Sequence, residues 1–253
     1  DLMEQIFKWY ALYAYNEGDP GLIKLWIGPL PSLIILKPDY CKTIMESNTL
    51  ITKAVQYDKL SEWIGMGLLT STNEKWFSRR KILTPAFHFS VLKGYGEIFV
   101  RQGKILLEQT DKFCDTDREV DLFPFIKRCA LDIICETAMA TQINSQTGKN
   151  SEYVDAVLKL SDIIFNHLRS PWLWFKPIWY ASGVGFKFDR LVKLTNDFTK
   201  KVIEERRKVF NDKDEMEDFN TNNKKIFLDL LLHKQKSENL SDEDIREEVD
   251  TFM

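Results

Sequence analysis

No stretch of these 253 residues reaches the 18 or so consecutive apolar side chains of a membrane span. The charged opening, Asp1 to Lys8, has no secretory signal pattern either. Cysteine is scarce: Cys41, Cys114, Cys129 and Cys135 form no C-x-x-C pair, which excludes a disulfide scaffold, a zinc ribbon and a thioredoxin-like motif. The three histidines, His88, His167 and His233, stand far apart with no H-x-x-x-H or H-E-x-x-H pattern, so neither a metal site nor a catalytic triad has support. G-x-S-x-G and P-loop motifs are missing, and Gly183-Val184-Gly185 lacks the third glycine and the preceding strand of a dinucleotide fingerprint, leaving a hinge as the better reading. Charge of one sign is also lacking: 35 Lys and Arg against 38 Asp and Glu give a net charge of −3, no field that would draw the chain onto nucleic acid.

What is present is an ordinary globular composition, 44% hydrophobic and 29% charged, enough for a sizeable core. Ile6, Trp9, Tyr10 and Tyr13 predict an opening amphipathic helix, stopped by Asn16 to Gly21. Alternation at Ile23, Leu25 and Ile27, a Gly28-Pro29 turn and the run Leu33 to Leu36 predict a hairpin. Pro38 opens a helix through Ser47. Residues 57 to 70 show no clear period and read as an apolar loop. Ser71-Thr72-Asn73-Glu74 has the form of a capping box, starting a helix that Pro85 should end near Thr84. Longer helices are expected over 89–113, 125–143, 152–168 and 189–210, with a short one around Phe227 to His233 and a capped start at Ser241. Between the third and fourth lies Pro171 to Tyr180, where two prolines and five aromatics make an apolar connector suited to core packing or to a membrane interface. Asn211 to Lys225 is polar and reads as a solvated loop. The fold class is mainly α with a small β-sheet.

The sharpest motif is Trp76-Phe77-Ser78-Arg79-Arg80, which puts the Trp76 indole and the Arg80 guanidinium on one helical face. Both are donors without acceptor capacity, so together they suit a carboxylate or a phosphate. Spacing alone favours a cation–π or surface pair over a ligand site.

The wider text adds to this. Glu62-Trp63-Ile64-Gly65-Met66-Gly67-Leu68-Leu69-Thr70-Ser71 and Lys75 through Phe89 resemble the cytochrome P-450 superfamily, specifically its family-4 type as found in insects. Leu25 to Pro29, Leu50 to Lys53 and Ile245 to Met253 are similar to the same branch, in the same order. The resemblance implies a haem-thiolate monooxygenase inserting one oxygen atom into C–H bonds of lipophilic substrates such as fatty acids, terpenoid hormones or xenobiotics. It further implies NADPH-derived electrons delivered through a flavoprotein reductase, and residence on the cytoplasmic face of the endoplasmic reticulum membrane. Trp76 and Arg80 would donate to a haem propionate. The 57–71 loop would roof the substrate pocket, with Trp63, Leu68 and Leu69 as pocket candidates and core packing as their alternative. Lys75, Arg79 and Lys81 would offer the reductase a basic face, or simply a solvated one.

None of the four cysteines has the family's haem-cysteine context, and the oxygen-activating helix segment is not in the text. Residues 1–253 are therefore expected to be one incomplete domain, the N-terminal half, inactive alone and with apolar faces exposed. The competing expectation is a truncated, non-catalytic helical interaction protein.

Overall fold

The computed structural model describes residues 2–14, 21–27, 30–116, 119–214 and 226–253. It begins with α1 (Leu2–Ala14), then β1 (Leu22–Ile27) and β2 (Leu30–Ile35), which pair antiparallel with Ile23 opposite Ile34 and Leu25 opposite Ser32. The expected hairpin is present. Its Gly28-Pro29 turn and the Asn16 to Pro20 helix stop lie outside the described residues. α2 (Pro38–Met45) starts on its proline, whose missing N–H has no intrahelical partner at that position.

The 57–70 segment differs from expectation. Asp58–Ile64 is a helix, α3, ended by Gly65 at φ 73°, a left-handed backbone that glycine adopts without a Cβ penalty. Two turns are too short for a helical period to stand out against Trp63, Gly65 and Gly67. α4 (Asn73–Leu83) ends where Pro85 requires, but the Ser71 cap is not formed. Ser71 N–H instead donates to Gly67 O at 2.9 Å, closing a preceding turn, and Thr72 takes the N-cap position without a side-chain bond. The Phe89 to Phe113 stretch is broken into α5 (Phe89–Leu92), a 3₁₀ turn at Lys93–Tyr95 and α6 (Gly96–Asp111).

The remaining helices are α7 (Phe123–Ala138), α8 (Ser151–Arg169), α9 (Lys176–Ala181), α10 (Val184–Asp214), α11 (Phe227–Ser237) and α12 (Asp242–Phe252). α10 extends five residues upstream and four downstream of its expected span, so the first part of the expected 211–225 loop is helical and 215–225 lies outside the described residues. The 171–180 connector folds as a 3₁₀ turn, Pro171–Trp174, followed by α9, with Gly183 and Gly185 at the junction to α10. At Ser241 the cap is formed as expected: its hydroxyl accepts from Asp244 N–H and the Asp244 carboxylate accepts from Ser241 N–H.

Three apolar clusters hold the helices together. One joins the end of α4 with α10, α11 and α12 through Leu83, Val202, Leu228, Leu231, Ile245 and Val249. A second joins α7 to α8 through Leu131, Cys135 and Tyr153. The third packs Leu160 of α8, Trp179 of α9 and Phe188 of α10, with Trp63 against them. An Arg206–Asp229 pair, with bonds of 2.7 and 2.5 Å, fixes α10 to α11. Large apolar side chains nevertheless face outward on α4 to α7, among them Phe77, Phe89, Leu107 and Phe123. Among the described residues no helix is long and apolar enough to cross a membrane.

Leu231 is fully buried at the centre of the first cluster. Leu231→Ala is expected to lower unfolding stability by about 2 to 5 kcal/mol, measured by urea denaturation, because the cavity left behind adds to the lost transfer energy.

Candidate functional site

α4 carries two faces of different chemistry. On one, Arg80 Cζ lies 5.0 Å from the centroid of the Trp76 ring, and Phe77 meets the same indole edge-on at 5.1 Å. The stack contributes about 0.5 to 1 kcal/mol at an exposed site. It leaves the indole N–H and the guanidinium N–H groups without an acceptor among the described residues. Trp76 is half-buried and Arg80 exposed, so the pair lies at the protein surface, in the cation–π arrangement that spacing alone favoured. A donor-only pair of this kind fits an acidic side arm such as a haem propionate.

The other face of α4 is clamped. Lys75 Nζ donates to Glu247 at 2.7 Å, and Arg79, 6% exposed, is paired with Asp244 and stands 3.5 Å from Glu248. Lys75 and Arg79 are thereby committed to α12 and do not form the free basic face expected for a reductase; Lys81 alone of that trio remains exposed without a described ion pair. The sequence could not reveal this, because the acidic partners lie some 165 residues away.

Those partners also hold the turn between α3 and α4. Met66 N–H donates to Glu247 at 2.8 Å and Leu68 N–H to Glu248 at 3.0 Å. Backbone can come this close only because Gly65 and Gly67 lack side chains: a Cβ at Gly67 would sit 2.5 Å from Glu247 O, and one at Gly65 2.4 Å from Glu247 Cγ. Glu248 has no exposed surface, and burial pushes its carboxyl up to about 7 against the opposing pull of Leu68 N–H and Arg79. Burial likewise raises Asp250 to about 6, despite its bonds to Thr199 and Arg246. Burial would raise Asp244 too, but the Ser241 cap bonds and the Arg79 and Lys75 charges hold it below its ordinary value.

The three pocket candidates are not brought together. Trp63 Nε1 donates to Thr195 Oγ1 at 3.1 Å and its ring packs on the third cluster. Leu68 packs on the first cluster, and Leu69 is exposed. A cavity of about 270 Å³ lies instead between α3, the end of α8 and the aromatic connector, walled by Val55, Lys59, His167, Leu173, Trp174 and Trp179. Lys59 Nζ stands 4.5 Å from the Trp179 ring and 2.6 Å from Glu62, so its charge is already answered. Burial, then the Lys59 charge, lowers His167 from its ordinary value. The crowding of aromatics at 171–180 was the sequence signal for this wall.

Of the cysteines, Cys135 is fully buried among Leu131, Ile143 and Tyr153, and burial pushes its thiol up to about 12. It is held as a neutral thiol, the opposite of what an iron-binding thiolate needs.

The raised carboxyls set a pH dependence. A group whose folded value exceeds its unfolded one stabilises the fold at low pH and loses that contribution as pH rises, here between 4.5 and about 7 for Glu248. Glu248→Gln, which keeps an acceptor for Leu68 N–H, is expected to gain on the parent by up to about 3 kcal/mol between pH 5 and pH 8 in urea unfolding. A difference that stays constant across that range would mean the carboxyl titrates normally.

Comparison with known proteins shows the family of the chain. A family model described as Cytochrome P450 matches residues 12–253. Cytochrome P450 4V2 of Pongo abelii is 41% identical over 100% of this chain and 49% of its own length. Cytochrome P450 4c21 of Blattella germanica is 39% identical over 92% of this chain and 47% of its own, and Cytochrome P450 4c3 of Drosophila melanogaster 36% over 92% and 46%. The chain spans about half the length of the curated relatives it matches. The expectation of a non-catalytic interaction protein gains no support from them. With its small antiparallel hairpin, its otherwise helical architecture and a family model matched over residues 12–253, this chain belongs to the cytochrome P450 family.

Proposed function

We propose that residues 1–253 are the N-terminal half of one domain of a haem-thiolate monooxygenase that inserts one oxygen atom from O2 into C–H bonds of lipophilic substrates. Fatty acids, terpenoid hormones and xenobiotics are the substrate classes in view. The observation that carries this reading is the Trp76–Arg80 pair: two donor-only groups, 5.0 Å apart ring to guanidinium, with no acceptor among the described residues. When bound, haem supplies the oxygen-binding and redox chemistry. Trp76 N–H and Arg80 would hold its propionate, each charge-assisted bond contributing about 1.5 to 3 kcal/mol. NADPH, acting through a flavoprotein reductase, is the electron source.

The cavity between α3 and the aromatic connector, beside Trp174 and Trp179, is the space on offer to a lipophilic substrate, with Lys59, Glu62 and Lys176 among its lining. Leu69 keeps a side chain open to contact, while Trp63 and Leu68 are held in the core. The outward-facing Trp172, Phe175, Ile178 and Phe186 support a contact with the cytoplasmic face of the endoplasmic reticulum membrane, since large rings gather there among headgroups.

Arg80→Ala in the full-length protein is expected to weaken haem retention by about ten- to a hundredfold, read as transfer to an apo-haem acceptor. Unchanged retention removes Arg80 from the site. For the surface, Trp172→Ser with Phe175→Ser should reduce partition of the same protein onto phospholipid vesicles severalfold, measured by co-sedimentation; equal partition would exclude the connector as a membrane contact.

A further inference from the structure

Glu248 is buried without exposed surface, yet its two oxygens are treated unequally. Oε2 accepts from Leu68 N–H at 3.0 Å, whereas Oε1 accepts no hydrogen bond although Arg79 Nε stands 3.5 Å away. Two further polar groups on the segments that meet here, Arg79 Nη1 and the Ser71 hydroxyl, are also buried without a partner. Three α12 carboxylates, Asp244, Glu247 and Glu248, share only two cations here, Lys75 and Arg79, and the one with no exposed surface and an unbonded oxygen keeps a proton most readily. The charged groups that face it are Lys75 and Arg79 from α4, with Asp244 and Glu247 on α12 itself. The 65–71 turn contributes no titratable side chain, and α10 meets α12 elsewhere, at Arg246 and Asp250.

The clamp and the donor pair alternate along α4. Lys75 and Arg79, four residues apart, bind the α12 carboxylates; their immediate neighbours Trp76 and Arg80, also four apart, present the donors. Neighbours on a helix differ by about 100°, so fixing one pair fixes the rotation of α4 about its axis and with it the direction of the other. We propose that Glu248 is a positioning residue for the Trp76–Arg80 pair: with a proton it clamps the Gly65–Ser71 turn and α4 onto α12, and loss of that proton loosens the clamp. The proposal rests on the reading of Trp76 and Arg80 as propionate donors.

The sign follows from linkage. Opening the turn returns Glu248 to water, where a glutamate gives up its proton near 4.5, while the closed arrangement keeps the proton to about 7, burial being the largest cause. Opening should therefore be up to roughly a hundredfold more frequent at pH 8 than at pH 5.

The test uses the full-length, haem-loaded protein. Amide-exchange protection at Met66 and Leu68, corrected for intrinsic exchange, and the rate of haem transfer to an apo-acceptor are followed from pH 5 to pH 8. The parent should lose protection by roughly ten- to a hundredfold and release haem faster over that window. Glu248→Gln should flatten both profiles. Protection that stays level in the parent, or a slope that persists in Glu248→Gln, overturns the proposal; should the variant fail to load haem, the parent's protection profile decides alone. If Arg80→Ala retains haem while the protection slope is present, the donor reading fails and the clamp stands without its consequence for haem. If Arg80→Ala loses haem and the slope is absent, the clamp alone fails.

Discussion

The burial of an acidic helix end against backbone N–H groups and two cations is the constraint on which the arrangement of this chain depends. Asp244, Glu247 and Glu248 of α12 would be costly to remove from water on their own. Lys75, Arg79, Met66 N–H and Leu68 N–H meet them, and in doing so join segments 165 to 181 residues apart in the chain. The turn that carries the pocket candidates and the helix that carries the donor pair are thus located by the same few contacts. Breaking one side leaves buried charge unanswered on the other, so the cluster acts as a unit rather than as a sum of pairs.

Much of this architecture could be read from local pattern. The hairpin, the proline start of α2, the end of α4 before Pro85 and the Ser241 cap all rest on rules that span fewer than fifteen residues. The W-x-x-x-R spacing correctly placed Trp76 and Arg80 on one face. Local rules failed where a distant partner decides. Arg79 and Arg80 are chemically identical and adjacent, yet one is buried against α12 and the other exposed, and nothing within α4 distinguishes them. Ser71 carries the cap signature but is drawn into the preceding turn by Gly67, and α3 is too short to show its period.

The pocket candidates show the same division. Trp63, Leu68 and Leu69 share one apolar stretch, but the core claims Trp63 through Thr195 and Leu68 through α11 and α12. The cavity forms where three elements leave a gap, beside His167 and the connector, and a gap has no sequence signature of its own. Aromatic crowding at 171–180 marked the region without telling which rings turn inward: Trp179 is buried, while Trp172 and Phe175 face out.

α10 is the longest element, 31 residues or about 46 Å of continuous helix. It touches the aromatic connector at its start, α8 along its middle and the α11–α12 pair toward its end. One unbroken helix thus gives the connector, α8 and the α11–α12 pair a common support.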